Sequence, residues 1–133
     1  MEVTKIINSF ILIIMLQNKK IIVLGAGLVG KTIALDLARQ YRVTAVDKNQ
    51  MALRELSAAG VHIQTFDLQD LAALKELVMP YDLVIGAVPG FMGFNTVKTV
   101  IEAGRNMVDI SFFPEDALTL DALAKQKGVT VVT

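Results

Sequence analysis

The chain has 133 residues, enough for one domain, and its thirteen Lys and Arg cancel thirteen Asp and Glu. That balance excludes the basic surplus a nucleic-acid binder needs, and 53% hydrophobic against 20% charged residues excludes disorder. Without cysteine there is no disulfide, thiolate ligand or thiol nucleophile, and the single histidine, His62, leaves no His-rich metal site. The expectation is a compact cytoplasmic domain with no metal and no membrane span.

In chain order, residues 1–18 come first, as an apolar extension unlike the rest. The run Ile6–Leu16 is too short for a membrane helix, which needs roughly 20 apolar residues, and it lacks the basic start and small-residue cleavage site of a signal peptide. It reads either as an unstructured extension, with Met15 as an alternative start, or as an apolar peptide docked on a partner surface.

From residue 19 onward, β-rich runs alternate with helical ones. Ile21–Leu24 is a continuous apolar strand, as in a parallel sheet buried on both faces. Val29, Ile33 and Leu37 recur at helical spacing between Leu28 and Gln40, with Ala34 and Ala38 on the same face. Arg42–Val46 is a second strand, and Asn49 caps a helix that runs to Ala59 and stops at Gly60. Val61–Phe66 is a third strand, with a helix from about Gln69 to Leu77 behind it. Asp82–Gly86, a helix through Asn95 and Ala103, and Asn106–Ile110 continue the series. Pro114 opens a last helix to about Lys125, and Val129–Val132 is the sixth strand. The fold expected over residues 19–133 is therefore α/β: a Rossmann-type, doubly wound, parallel six-stranded sheet in three αβα layers.

Gly25-Ala26-Gly27-Leu28-Val29-Gly30-Lys31-Thr32 satisfies two motifs at once, G-x-G-x-x-G and G-x-x-x-x-G-K-[ST]. In the dinucleotide reading Gly25 makes the turn, Gly27 admits a pyrophosphate, and Gly30 lets the helix approach the sheet. That reading requires the helix to begin at Leu28 and Val29. A triphosphate loop would instead delay the helix to Lys31. Asp47 breaks the tie. It ends the second strand seventeen residues beyond Gly30, where a carboxylate can accept from the adenosine ribose hydroxyls. A carboxylate there also repels a 2′-phosphate, so NAD is expected ahead of NADP, with Lys48 softening the preference.

Ligands of such sheets sit at the carboxyl ends of the strands. Asp67 and Leu68 after strand three are therefore assigned to the adenine edge, although a helix cap explains Asp67 equally well. Ala87, Val88 and Pro89 after strand four admit the cofactor's central ribose. Phe91, Met92 and Phe94 either wall a nicotinamide pocket or pack in the core. Ser111 is placed near the reactive end, and Asp109 is the one carboxylate considered for acid–base work. His62, at the amino end of strand three, is expected at the surface.

These residues resemble the N-terminal domain of the saccharopine dehydrogenase family, nearest its lysine 6-dehydrogenase-like and saccharopine-reductase-like branch. The likeness runs from about Lys20 to Thr133. Its more specific parts are Asp82-Leu83-Val84-Ile85-Gly86-Ala87-Val88-Pro89-Gly90 and Val108-Asp109-Ile110-Ser111-Phe112. The resemblance implies an oxidoreductase of lysine metabolism that oxidises a carbon bearing an amine. Hydride passes to nicotinamide, and water hydrolyses the resulting imine. Family members carry a second domain that supplies most of the substrate pocket and helps dimerisation; this sequence stops at the sixth strand. The implied partners are the dinucleotide, and an amino-acid substrate only together with that missing domain. The apolar content and the N-terminal run add association as a homodimer. Alone, the chain is expected to bind cofactor without turnover. The rival is a stand-alone NAD(H)-sensing domain of the kind that regulates potassium transport. It shares the glycine loop and Asp47, but Val88–Phe94 suits a nicotinamide pocket better.

Overall fold

The structure is a computed structural model that describes residues 2–133, with the backbone alone at Leu16 and Gln17. Met1, part of the N-terminal extension, lies outside the described residues. The rest of that extension is not unstructured: Glu2–Gln17 form one helix, α1. Its backbone satisfies itself hydrogen bond by hydrogen bond, but its apolar side chains, from Val3 to Met15, remain exposed. Among the described residues no helix is long and apolar enough to cross a membrane.

The domain proper alternates strand and helix: β1 (Lys20–Leu24), α2 (Leu28–Leu37), β2 (Arg42–Asp47), α3 (Gln50–Ala58), β3 (His62–Thr65), α4 (Leu71–Val78), β4 (Leu83–Gly86), α5 (Gly90–Glu102), β5 (Asn106–Asp109), a 3-10 turn (Ala117–Leu120), α6 (Asp121–Lys127) and β6 (Val131–Val132). All pairings are parallel and the strand order is β3-β2-β1-β4-β5-β6. This is the expected doubly wound sheet. The chain reverses its direction of travel between β1 and β4, and the crevice opens there, at the carboxyl ends of the strands.

Alternation along β1 explains the three layers. Ile22 and Leu24 point to one face and pack with Leu74 and Val78 of α4 and Val97 and Val100 of α5. Ile21 and Val23 point to the other and pack with Ala34 of α2 and Leu53 and Leu56 of α3. Ile21–Leu24 are at most 3% exposed, which is why the strand is wholly apolar after its exposed first residue, Lys20.

Three expectations need correction. Val29 does not join the buried stripe of α2; it is 55% exposed, and the packed face is Gly30, Ile33, Ala34, Leu37 and Ala38. Pro114 does not open the last helix. Asp116 accepts from the Leu118 N–H at 3.0 Å and starts the 3-10 turn, so Pro114 stays in the loop. The third and sixth strands, at the two edges of the sheet, are shorter than expected and span His62–Thr65 and Val131–Val132.

Candidate functional site

A cleft of about 500 Å³ lies over the carboxyl ends of β1, β2, β3 and β4. Twelve of the thirteen residues expected to bind a cofactor line it: Gly25, Gly27, Leu28, Val29, Gly30, Asp47, Lys48, Asp67, Leu68, Ala87, Val88 and Pro89. Ser111 does not. Phe91 and Met92 also line the cleft, whereas Phe94, on α5, packs against the core and meets the Phe113 ring edge-on.

The floor follows from two glycines whose missing side chains permit backbone contact. Gly25 turns out of β1 with φ of +105°, and a Cβ there would overlap the Ala87 carbonyl of the β4 loop. At Gly30 a Cβ would overlap the Gly25 carbonyl, so its absence lets α2 lie close to β1. Gly27 differs: its φ of −67° suits any residue, and a Cβ would meet nothing within 4 Å. Its bareness serves no internal packing. It keeps space open above the first turn of α2, which has no side-chain cap and leaves its leading N–H groups free for an anion.

Helix α2 begins at Leu28, as the dinucleotide reading requires, and not at Lys31. Lys31 instead pairs with Glu55 on α3, and the Thr32 hydroxyl donates to the Leu28 carbonyl at 2.9 Å. Neither side chain is presented as a phosphate loop would present it.

Asp47 closes the adjoining end of the cleft. The Ala26 N–H donates to its Oδ2 at 2.7 Å and the Asn49 N–H to its Oδ1 at 2.8 Å. The carboxylate thereby ties the glycine loop to β2 and to the start of α3. Two acceptor sites remain on its oxygens for a ligand hydroxyl. This tethering role escapes a motif search, because Ala26 and Asp47 are joined only once β1 and β2 pair. Asp67 lines the cleft but is not the expected helix cap: its Oδ1 accepts from the Gln69 N–H at 3.0 Å in the turn before α4, and the α4 cap is Asp70, whose Oδ1 accepts from the Ala73 N–H at 3.0 Å. Phe66, Gln69 and Ile110 line the cleft without having been singled out. The strand-end rule pointed to their neighbours, but which of two adjacent residues turns inward depends on twist and loop path.

Asp109 and Ser111 lie elsewhere. Asp109 is 4% exposed, packed beside Gly86 and Met107, and accepts from the Ser111 N–H at 3.1 Å and the Ser111 hydroxyl at 2.5 Å. Its Oδ1 is buried without a partner, and burial pushes its carboxyl above the usual carboxylate range despite the Ser111 hydrogen bonds. Ser111 also sits against Gly93 in the first turn of α5. The pair therefore braces the end of β5 against β4 and α5, outside the cleft lining. His62 is exposed at the amino end of β3, as expected.

A doubly wound sheet, an uncapped helix start over bare backbone and an acidic end to β2 together define a dinucleotide-binding domain. Residues 21–132 match the family described as the saccharopine dehydrogenase NADP-binding domain, and the chain belongs to that family. Saccharopine dehydrogenase [NADP(+), L-glutamate-forming] of Pyricularia oryzae is 29% identical over 121 residues, covering 88% of this chain and 27% of that protein. Apo saccharopine dehydrogenase (L-Glu forming) of Saccharomyces cerevisiae shares the fold with a TM-score of 0.74 at 24% identity, over 86% of this chain and 26% of that one. GenD2 from gentamicin A biosynthesis, in complex with NAD, aligns at 0.68 and 22%, over 89% of this chain and 34% of that one. The chain thus spans about a quarter of the length of the saccharopine dehydrogenases it matches.

Proposed function

We propose that residues 19–133 are the cofactor-binding domain of an NAD(P)-dependent oxidoreductase acting on the CH–NH group of an amino acid. The observation that carries the cofactor assignment is the empty volume at Gly27 above the free N–H groups of α2. A pyrophosphate fits that chemistry: bare main chain, partial positive charge and no competing side chain. When bound, the nicotinamide supplies the chemistry by taking up hydride from the carbon that bears the amine. This chain's own residues bind and orient. Gly25 and Gly30 set the loop, Asp47 and Lys48 take the ribose nearest adenine, Asp67 and Leu68 the adenine edge, and Ala87–Pro89 the central part. The reaction class rests on the family and on its saccharopine dehydrogenase relative.

The family description and the Pyricularia relative name NADP, and they support that cofactor. Asp47 supports NAD. Its carboxylate is fixed by two backbone donors and would stand as a negative charge beside a 2′-phosphate. We take the residue in this cleft as the stronger guide and assign NAD ahead of NADP.

Gly27→Val tests the assignment. Its backbone tolerates a side chain, so the variant should keep the wild-type melting temperature and lose dinucleotide binding by more than about 100-fold, a change of roughly 3 kcal/mol. Retained affinity in a folded variant would refute the close approach of a pyrophosphate to this loop.

A further inference from the structure

Helix α1 lies outside the segment shared with the family and takes no part in the cleft. At 100° per residue, Val3, Ile6, Ile7, Phe10, Ile13 and Ile14 fall within about 120° of one face; the opposite side mixes Lys5, Asn8 and Ser9 with Leu12 and Met15, and Glu2 borders the apolar stripe. Those six apolar side chains are 48–67% exposed. Together they leave on the order of 600 Å² of apolar surface bare, the upper end for the largest patch of an ordinary monomer. Two such faces reach the ~1,200 Å² at which specific interfaces begin.

We propose that α1 is a self-docking helix whose apolar stripe packs on α1 of a second copy about a two-fold axis. Val3, Ile7, Phe10 and Ile14 are spaced four, three and four residues apart, the seam along which two helices interlock. A lipid surface fits less well. Helices that lie on membranes carry Lys and Arg on the polar face, whereas Glu2 and Lys5 cancel here. Nor is α1 long and apolar enough to span a bilayer. The inference stands apart from the cofactor reading, because α1 lines no part of the cleft.

Sedimentation equilibrium of the full 133-residue chain should give twice the 14.5 kDa mass of one chain. The double variant Ile7→Glu with Phe10→Glu should halve that mass while leaving dinucleotide affinity unchanged. Phe10 lies near the middle of α1, so it meets its own copy whichever way the two helices run. In this cysteine-free chain Phe10→Cys should therefore cross-link into dimers on mild oxidation, and Lys5→Cys on the opposite side should not. A wild-type chain of single mass overturns the proposal, as does a double variant that stays dimeric or a Phe10→Cys chain that fails to cross-link. Single chains that co-sediment with phosphatidylcholine vesicles would overturn it in favour of a membrane. Dinucleotide affinity, measured on the same samples, reports separately on the cofactor reading.

Discussion

Gly27 and Gly30 stand three residues apart, yet a methyl group would meet open cleft at the first and the Gly25 carbonyl at the second. The two should therefore fail differently. Gly30→Ala forces helix and strand apart and should cost about 1–3 kcal/mol of stability, read as a fall in melting temperature. Gly27→Ala should leave that temperature unchanged and weaken cofactor binding. Asp47 combines both kinds of role. Replacing it with Ala removes charge-assisted hydrogen bonds worth roughly 1.5–3 kcal/mol each, so NAD affinity should fall about 10- to 100-fold. Discrimination against NADP should shrink with it. Calorimetric titration of both cofactors checks this; equal preference before and after substitution would remove the ribose assignment. For Asp109 the sign is opposite to that of a salt-bridged carboxylate. Burial raises its folded-state pKa above the unfolded value, so the native state holds the proton more tightly. Its contribution to stability is therefore greatest below the unfolded pKa and declines as pH rises through the folded one. Denaturation curves across the weakly acidic range should show this decline in the wild type and a flatter profile in Asp109→Asn.

At the level of elements, most of the architecture could be read from local chemistry. The apolar run of β1 and the Asn49 cap each state their structure within a few residues, and Asn49 Oδ1 does accept from the Met51 and Ala52 N–H groups at 3.1 and 3.3 Å. Asn49→Ala should accordingly cost about 1 kcal/mol, visible in a chemical denaturation midpoint without effect on cofactor affinity. What could not be read depends on tertiary placement. Val29 has the right helical phase for the core, but α2 meets the sheet through Gly30 and Ala34, which turns Val29 toward the cleft. Pro114 is a legitimate helix opener, yet Asp116 two residues later offers a capping carboxylate and wins. Ser111 was expected at the cofactor because it follows a strand end. Its hydroxyl is claimed by Asp109, on the side of β5 that faces α5.

For the molecule as a whole, the chain matches about a quarter of a saccharopine dehydrogenase, and that quarter holds the cleft over the strand ends. The titratable side chains that line it, Asp47, Lys48 and Asp67, stand at the carboxyl ends of β2 and β3, on the side proposed for the adenosine half of the cofactor. We accordingly expect this chain alone to bind dinucleotide without oxidising lysine or saccharopine, a result that absorbance at the nicotinamide band would register. The most direct test of the central claim is calorimetric titration of the 133-residue chain with NAD, NADP and magnesium ATP. The account predicts that NAD binds most tightly, NADP more weakly, and that replacing Lys31 with Ala changes neither. Preferential binding of magnesium ATP, abolished by Lys31→Ala, would contradict it.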